Sequence, residues 1–203
     1  FQMMVEAGNM RILEVLAAAT NIIAEGEVMQ LMNCHNADVE EATYLEVIRC
    51  KTAKLFEAAT RIGALLGGAP HDSEDAMARY GAHLGTAFQL IDDVLDYSGD
   101  HAVIGKNVGD DLAEGKPTLP LIHVIRHGSA PQVAAVRRAI EAGGLDELPA
   151  VLAAIRDTGA LDYARDRASA ESRSARDALS GLARSPQREY LLQLADFAIS
   201  RSY

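Results

Sequence analysis

Three aspartates and a glutamine occupy one side of an otherwise apolar segment in the middle of the chain. If residues 85–96 form an α-helix, Gln89, Asp92, Asp93 and Asp96 fall within about 100° of arc. Like charges this close repel one another, so a bound cation would explain the arrangement. Carboxylate oxygens without histidine or cysteine suit a hard ion such as Mg²⁺, which usually brings substrate phosphates with it. The alternative is a solvated acidic face without a ligand.

The remaining positions of this segment favour burial of the acidic stripe. Apolar side chains cover most of the other side of the helix: Ala87, Leu90, Ile91, Val94, Leu95. Gly85 and Gly81 continue the stripe one and two turns earlier. A helix that is apolar over most of its circumference is expected to be buried. The sequence therefore predicts that the stripe faces an internal cavity or cleft.

Lys51 is the second unusual residue, because it lies at the centre of a predicted apolar helix face. The other members of that face recur at helical spacing: Tyr44, Ile48, Leu55, Ala59, Ile62, Leu66. A lysine there must either extend outward to water or meet an anion inside the protein. Together with the hydroxyl of Thr52, it could hold a phosphate oxygen by charge and a hydrogen bond.

Two Gly-Lys pairs, at 105–106 and 115–116, lie on either side of the aspartate pair 110–111. Glycine lets backbone N–H groups approach an anion, and lysine adds a mobile positive charge. The segment lacks the spacing of a Walker P-loop. It is either a flexible polar loop or a lid over a metal-bound phosphate. Upstream, Glu27 and Gln30 are most simply a satisfied pair at a helix end, with hydrogen bonding inside the cavity as the alternative.

Helices must position these residues, because helical periodicity is nearly continuous and no strand pattern occurs. Predicted helices cover 10–32, 38–66, 73–98, 118–127, 130–142, 145–157, 160–183 and 186–201. Asp38 and Ser73 are the predicted N-caps of the second and third. Residues 99–117 form the longest irregular segment, which is usual for a functional or disordered loop. The fold class predicted is all-α.

Composition narrows the classes of function. The chain has 203 residues, 49% of them hydrophobic, which predicts one globular domain. Its net charge of −10 argues against a nucleic-acid partner and against a polybasic membrane anchor. Every apolar run is too short for a transmembrane segment. Cys34 and Cys50 match neither a disulfide scaffold nor a metal spacing, and we expect reduced cysteines in a cytoplasmic protein.

Four segments, in this order, resemble the long-chain trans-polyprenyl diphosphate synthases, in particular the bacterial octaprenyl diphosphate synthases. They are AEGEVMQL at 24–31, KTAKLFE at 51–57, GTAFQLIDDVLDY at 85–97 and GKNVGDDLAEGKPTLP at 105–120. The resemblance implies an isoprenoid synthase fold, a helical bundle around a central cavity, usually as a homodimer. Residues 1–203 would be the C-terminal portion of a single such domain, with the N-terminal helices missing.

The resemblance also implies roles for the residues singled out above. Asp92, Asp93 and Asp96 match the second aspartate-rich motif, which binds Mg²⁺ that bridges to the diphosphate of an allylic substrate. The allylic diphosphate would ionise, isopentenyl diphosphate would attack the cation, and a proton would be lost. An octaprenyl-like product would serve as a quinone side chain, with transient membrane contact for its release.

The same resemblance assigns the substrate-binding residues. Lys51, Lys106 and Lys116 match the lysines that contact the allylic diphosphate, with Thr52 and Gln89 in support. Phe88 and Gln89 also match a Phe-Gln pair near the isopentenyl group.

One departure from the family pattern limits the expected activity. The resemblance places a first aspartate-rich motif and a basic isopentenyl diphosphate site ahead of Phe1, and Asp92 begins the only Asp-Asp-x-x-Asp of the sequence. We therefore expect negligible activity from these 203 residues and an active enzyme from the full-length protein. Two alternatives are a non-catalytic regulatory subunit of a synthase and a class I terpene cyclase. The Lys51-Thr52 pair and the loop 105–118 favour chain elongation over cyclisation.

Overall fold

The computed structural model describes residues 2–98 and 108–201, and within these ranges the regular secondary structure is helical, without strands. The helices in chain order are α1 (Gln2–Glu6), α2 (Met10–Asn33), α3 (Glu41–Ile48), α4 (Lys54–Leu66), α5 (His71–Ser98), α6 (Asp110–Ala113), α7 (Leu119–His127), α8 (Ala130–Ala142), α9 (Leu148–Asp157), α10 (Ala160–Ala178) and α11 (Pro186–Ser200). A π-helical turn, Arg49–Ala53, joins α3 to α4. The prediction of an all-α protein is confirmed.

Helix α5 packs against more helices than any other element, namely α3, α4, α6, α7, α10 and α11. Its 28 residues make it about 42 Å long. Its C-terminal half contributes Leu90 and Val94 to a buried cluster with α3, α7 and α10. Its N-terminal half contributes Tyr80 and Leu84 to a second buried cluster with the ends of α10 and α11. A third cluster lies among α6, α7, α8 and α9. The acidic stripe therefore lies on a helix whose two halves both pack in buried clusters.

Two glycines let α5 approach α4 and the π turn closely. A Cβ on Gly81 would lie 2.5 Å from the carbonyl oxygen of Phe56, and a Cβ on Gly85 would lie 2.6 Å from Cα of Ala53. Neither distance leaves room for a side chain. The prediction that these glycines share a cavity-facing stripe with the carboxylates is wrong, because the backbone of the neighbouring helix fills that space.

The π turn changes which residues of the second predicted helix are buried. Its wider turn rotates the residues that follow by about 100° relative to a continuous α-helix. Tyr44 and Ile48 are buried as predicted, but Leu55 is 52% exposed and Leu66 is 66% exposed. The prediction of one apolar face from Tyr44 to Leu66 is therefore wrong beyond the turn that carries Lys51.

Three other sequence-based boundaries differ from the structure. Asp38 does not cap a helix, because α3 begins further on and the Asp38 carboxylate pairs with Arg137 Nη2 at 2.6 Å. Ser73 lies inside the first turn of α5, where its N–H donates to the carbonyl of Pro70 at 2.9 Å. Helix α10 ends at Ala178 rather than at residue 183. The other predicted helices are present.

Both cysteines are free thiols, each partly buried. Over the described ranges, the helices are too short or too polar for any of them to traverse a lipid bilayer.

The contact between α2 and the π turn gives a test of the fold. A Cβ on Gly26 would lie 2.6 Å from the backbone nitrogen of Lys51 and 2.8 Å from Cβ of Cys50. We expect Gly26→Ala to lower the free energy of unfolding by about 1–3 kcal/mol, because the backbone must shift to admit the methyl group. Urea denaturation followed by circular dichroism measures this loss.

Gly63→Ala is the matched control. Gly63 lies in α4, where an added Cβ would meet nothing within 4 Å. Because alanine favours a helix over glycine, this variant should gain up to about 1 kcal/mol. Equal effects of the two substitutions would contradict the close packing of α2 on the π turn.

Candidate functional site

The acidic end of α5 lines a cavity with a volume of about 570 Å³. Helix α3 and the π turn form the facing wall, the end of α2 lies beside them, and the segment 108–118 closes one side. The carboxylates that line this cavity are Asp92, Asp93, Asp96, Asp110, Asp111 and Glu114. Lys51 and Lys116 line it as well. The structure therefore brings the acidic stripe, the Lys-Thr pair and the second Gly-Lys pair to one place.

Asp93 is the most deeply placed of these carboxylates, with 3% of its surface exposed. Its Oδ2 accepts a hydrogen bond from the hydroxyl of Tyr44 at 2.7 Å, and its Oδ1 accepts from Nε2 of Gln89 at 2.8 Å. A buried carboxylate requires such donors, since an unpaired one costs several kcal/mol. The two donors fix the orientation of the Asp93 carboxylate within the cavity wall.

Asp96 is held by the backbone that follows the acidic helix. Its Oδ2 accepts from the N–H of Asp111 at 3.2 Å, and its carbonyl accepts from the N–H of Gly109 at 2.9 Å. Gly109 has a φ of +87°, in the left-handed region that favours glycine. These bonds carry the aspartate pair 110–111 back to the carboxylates of α5.

Two carboxylates of the cavity, Asp93 and Asp96, have raised pKa values. Burial, together with the nearby charge of Asp111, raises the pKa of Asp96 to about 7. The same two causes hold the pKa of Asp93 well above its usual range, although the hydrogen bonds from Tyr44 and Gln89 oppose them. Both shifts mean that burial and neighbouring negative charge disfavour the ionised forms of these two carboxylates. A bound cation would favour the ionised forms.

The lysines of the cavity are paired with carboxylates at its rim. Lys51 Nζ lies 2.7 Å from Glu27 Oε2 and 3.1 Å from Gln30 Oε1. Lys116 Nζ lies 2.9 Å from Asp111 Oδ1 and 2.8 Å from Glu114 Oε2. Lys51 thus pairs with an anion, the half-exposed Glu27, at the cavity rim rather than deep inside the protein, and its own side chain is 32% exposed.

Burial alone would lower the pKa of Lys116, but Glu114 and Asp111 outweigh it and raise the pKa above its usual range. Both Lys51 and Lys116 present charge to the cavity. Lys106, the third lysine of the sequence prediction, lies outside the described residues.

Thr52 and Gln89 lie in the cavity wall, and Phe88 does not. The hydroxyl of Thr52 donates to Oε1 of Gln89 at 3.0 Å. The ring of Phe88 packs on Phe56 with a centroid distance of 5.4 Å, and the Arg201 guanidinium lies 3.9 Å from its centroid. Among the described residues that line the cavity, Phe88 is absent.

Sequence reasoning missed the partners of the predicted residues. The sequence places Tyr44 only on an apolar face. It favours Glu27 and Gln30 as a satisfied pair at a helix end over hydrogen bonding in the cavity, whereas in the structure both contact Lys51. For Tyr44 a signal did exist, because a tyrosine on an apolar face needs a partner for its hydroxyl. For Glu27 no sequence signal existed, because its contact depends on how α2 packs on the π turn.

The residues of the cavity fit a hard divalent cation. The donors are carboxylate oxygens, and a cation would favour the ionised forms of Asp93 and Asp96, which burial and neighbouring negative charge disfavour. Among the described residues, the group with ligand atoms within 4.8 Å of one another is elsewhere: His71, Glu74 and Asp75. Arg61 Nη1 lies 2.8 Å from Glu74 and 3.4 Å from Asp75, so a cation already neutralises that group. The wider spacing at α5 suits an ion that keeps waters and shares oxygens with a substrate phosphate.

Comparison with known proteins decides the family. A family model described as polyprenyl synthetase matches residues 1–155. The chain belongs to the polyprenyl synthetase family. Octaprenyl diphosphate synthases of Haemophilus influenzae and Escherichia coli are 49% and 50% identical to it over 204 and 202 residues. These alignments cover 100% and 99% of this chain but 62% of each relative, so the chain spans less than two thirds of their length.

Solved structures of polyprenyl synthases share the fold. The enzyme from Caulobacter crescentus, complexed with calcium and isoprenyl diphosphate, has a TM-score of 0.94 and 43% identity, covering 99% of this chain and 62% of that one. A decaprenyl diphosphate synthase from Rhodobacter capsulatus has a TM-score of 0.90 and 44% identity, covering 98% and 62%. The all-helical fold is therefore the isoprenoid synthase fold of this family.

The raised pKa of Asp96 predicts a dependence of stability on pH. Its pKa is about 7 in the folded protein and 3.8 in an unperturbed aspartate, so the folded state keeps a proton that the unfolded state has lost. The contribution to stability is full below about pH 4 and is lost as the pH rises through about 7. With a chelator present, the free energy of unfolding should fall more between pH 5 and pH 8 in the wild type than in Asp96→Asn.

The Asp96→Asn variant is the control because asparagine cannot ionise but still accepts the N–H of Asp111. Urea titrations at each pH give the free energies. Parallel pH profiles for the two proteins would contradict the assigned shift.

Proposed function

We propose that the whole protein containing this chain is a prenyltransferase that adds isopentenyl diphosphate units to an allylic diphosphate. Its product is a long-chain all-trans polyprenyl diphosphate of octaprenyl type. The observation that carries this proposal is the shared cavity of the α5 carboxylates with Lys51 and Lys116. A diphosphate with a bound divalent cation has the charge pattern that meets both groups. In this proposal residues 1–203 are the C-terminal portion of one isoprenoid synthase domain.

Asp92, Asp93 and Asp96 are the residues that would hold the cation, and Mg²⁺ is the ion that such an oxygen donor set favours. When bound, Mg²⁺ neutralises the charge that develops on a departing diphosphate. The Caulobacter crescentus relative was crystallised in complex with calcium and isoprenyl diphosphate, which supports a divalent cation and a diphosphate as ligands of the whole protein.

Lys51 and Lys116 complete the diphosphate site. Each is held at the cavity rim by a carboxylate with substantial exposure, Glu27 or Glu114. A diphosphate oxygen can take the place of that carboxylate, because it carries more charge and offers several acceptor atoms. Lys106 is proposed for the same role on the resemblance of its motif alone.

The apolar part of the cavity suits a cationic intermediate. The apolar residues that line it include Val39, Val47, Ile48 and Leu95. Such walls exclude water, which would otherwise capture an allylic cation. The reaction needs no nucleophilic side chain, because the protein's part is to bind, orient and neutralise charge.

A homodimer is the assembly we propose. Helix α2 is long and apolar, yet its exposed residues include Met10, Val28, Leu31 and Met32. An apolar helix face of this kind usually packs against another protein surface, and a second copy would cover it by symmetry. We propose the octaprenyl product length because the relatives at about 50% identity are octaprenyl diphosphate synthases. The cytoplasmic location and the transient membrane contact stay predictions.

Replacing Asp92 in the full-length protein tests the proposal. We expect Asp92→Ala to lower the turnover of farnesyl diphosphate with isopentenyl diphosphate by roughly 100-fold or more, since the departing diphosphate loses charge stabilisation. Radiolabelled product, resolved by chain length, gives the rate. Asp162→Ala is the matched control, because the Asp162 side chain is 85% exposed on α10.

The same assay separates the alternatives. Unchanged turnover in Asp92→Ala would favour a non-catalytic regulatory subunit, and cyclic hydrocarbon products would favour a class I terpene cyclase. We expect the 203-residue chain alone to give negligible elongation with farnesyl diphosphate, isopentenyl diphosphate and Mg²⁺, because it carries one Asp-Asp-x-x-Asp motif where a two-sided clamp needs two. Robust elongation by this chain would refute that expectation.

A further inference from the structure

Tyr44 is a buried polar residue for which the reaction outlined above has no use. Only 6% of its surface is exposed. Its ring packs in the apolar cluster between α3, α5, α7 and α10. Its hydroxyl projects from that cluster into the cavity wall and donates to Oδ2 of Asp93 at 2.7 Å. The residue therefore joins the rigid core to a carboxylate of the candidate cation site.

The second oxygen of Asp93 is tied to the π turn through Gln89. Oδ1 of Asp93 accepts from Nε2 of Gln89 at 2.8 Å, and Oε1 of Gln89 accepts from the hydroxyl of Thr52 at 3.0 Å. The amide can take only this orientation, because the opposite one would set its oxygen against the Asp93 carboxylate. Tyr44, Asp93, Gln89 and Thr52 thus form one chain of hydrogen bonds across the cavity wall.

A count of donors and acceptors shows what this chain leaves available. Tyr44 and Thr52 each have a single hydroxyl proton, and both protons are used within the chain. In its ionised form, the one that would bind a cation, each oxygen of Asp93 has two lone pairs and uses one for Tyr44 or Gln89, so each keeps one for another partner. With its two donors on opposite oxygens, the carboxylate cannot rotate without breaking a buried hydrogen bond.

We propose that Tyr44 is a positioning residue for the cation site: it acts through Asp93, by fixing the carboxylate so that its remaining lone pairs are directed at the bound ion. This inference rests on the proposed function, because it assigns to the cavity the divalent cation named there. Hydrogen-bond partners behind a ligating side chain commonly change metal affinity by 10- to 100-fold. Removing the Tyr44 hydroxyl should have an effect of that order.

The test measures Mn²⁺ binding to the full-length protein by the loss of the free-ion electron paramagnetic resonance signal, with Mn²⁺ as the only added ligand. The part of the binding that Asp92→Ala removes is assigned to the cavity. We expect Tyr44→Phe to weaken that binding by about tenfold or more. Phenylalanine keeps the ring in the core, and thermal unfolding checks that the variant is folded.

Tyr80→Phe is the matched control for the loss of a buried hydroxyl. Tyr80 lies on the N-terminal half of α5, is fully buried, and donates to the carbonyl of Leu191 at 2.8 Å. Its removal should lower the midpoint of unfolding as Tyr44→Phe does, and it should leave Mn²⁺ affinity unchanged. A structural role alone would make the two variants alike.

A double-mutant cycle with Asp93 tests the route of the effect. If Tyr44 acts through the carboxylate, Tyr44→Phe should cause no further loss of Mn²⁺ affinity in an Asp93→Asn background. An equal loss in both backgrounds, or an unchanged affinity in Tyr44→Phe, would overturn the proposal. If the wild type binds Mn²⁺ and Tyr44→Phe binds it equally well, the proposed cation site stands and only the role of Tyr44 is refuted. Absence of wild-type binding would overturn the cation site and this inference together.

Discussion

The carboxylates of α5 bring negative charge into a partly water-excluded cavity, and the surrounding structure is arranged around that charge. A buried carboxylate without donors costs several kcal/mol, so it persists only where other elements supply hydrogen bonds. The hydroxyl of Tyr44 donates a hydrogen bond to Asp93, and backbone N–H groups at 109–111 donate to Asp96. These bonds draw α3 and the segment after α5 to a common wall. Burial and the charge of Asp111 raise the pKa of Asp96, and a bound cation would favour its ionised form.

The facing wall depends on close backbone packing rather than on charge. Gly26 of α2 and Gly85 of α5 both lie against the π turn, where a methyl group on either would meet backbone atoms. This packing sets Lys51 beside Glu27 and sets Thr52 beside Gln89. π-Helical turns are rare and often occur at functional sites. Here the turn carries the residues that bring positive charge and a hydroxyl group to the carboxylates.

The sequence predicts those features of the structure that depend on the local pattern of residues. Three carboxylates on an apolar helix are conspicuous at helical spacing, so α5 and its cavity could be anticipated, as could an anion partner for Lys51. The π turn could not be anticipated, because the residue types of Arg49–Ala53 are equally compatible with an α-helix. Without that turn, the sequence predicts an apolar face that extends to Leu66, and the exposure of Leu66 contradicts this. Contacts such as Lys51 with Glu27 depend on tertiary packing of helices distant in sequence, and Lys106 stays a prediction outside the described residues.

The central claim is that the carboxylates and the lysines bind a cation and a diphosphate as one unit. Isothermal titration of the protein with inorganic pyrophosphate, in Mg²⁺ and in chelator, tests it most directly once Mg²⁺–pyrophosphate association in solution is subtracted. The account predicts pyrophosphate binding at least about tenfold tighter in Mg²⁺, and by reciprocity tighter Mg²⁺ binding with pyrophosphate present. Equal pyrophosphate affinity in the two buffers would contradict it.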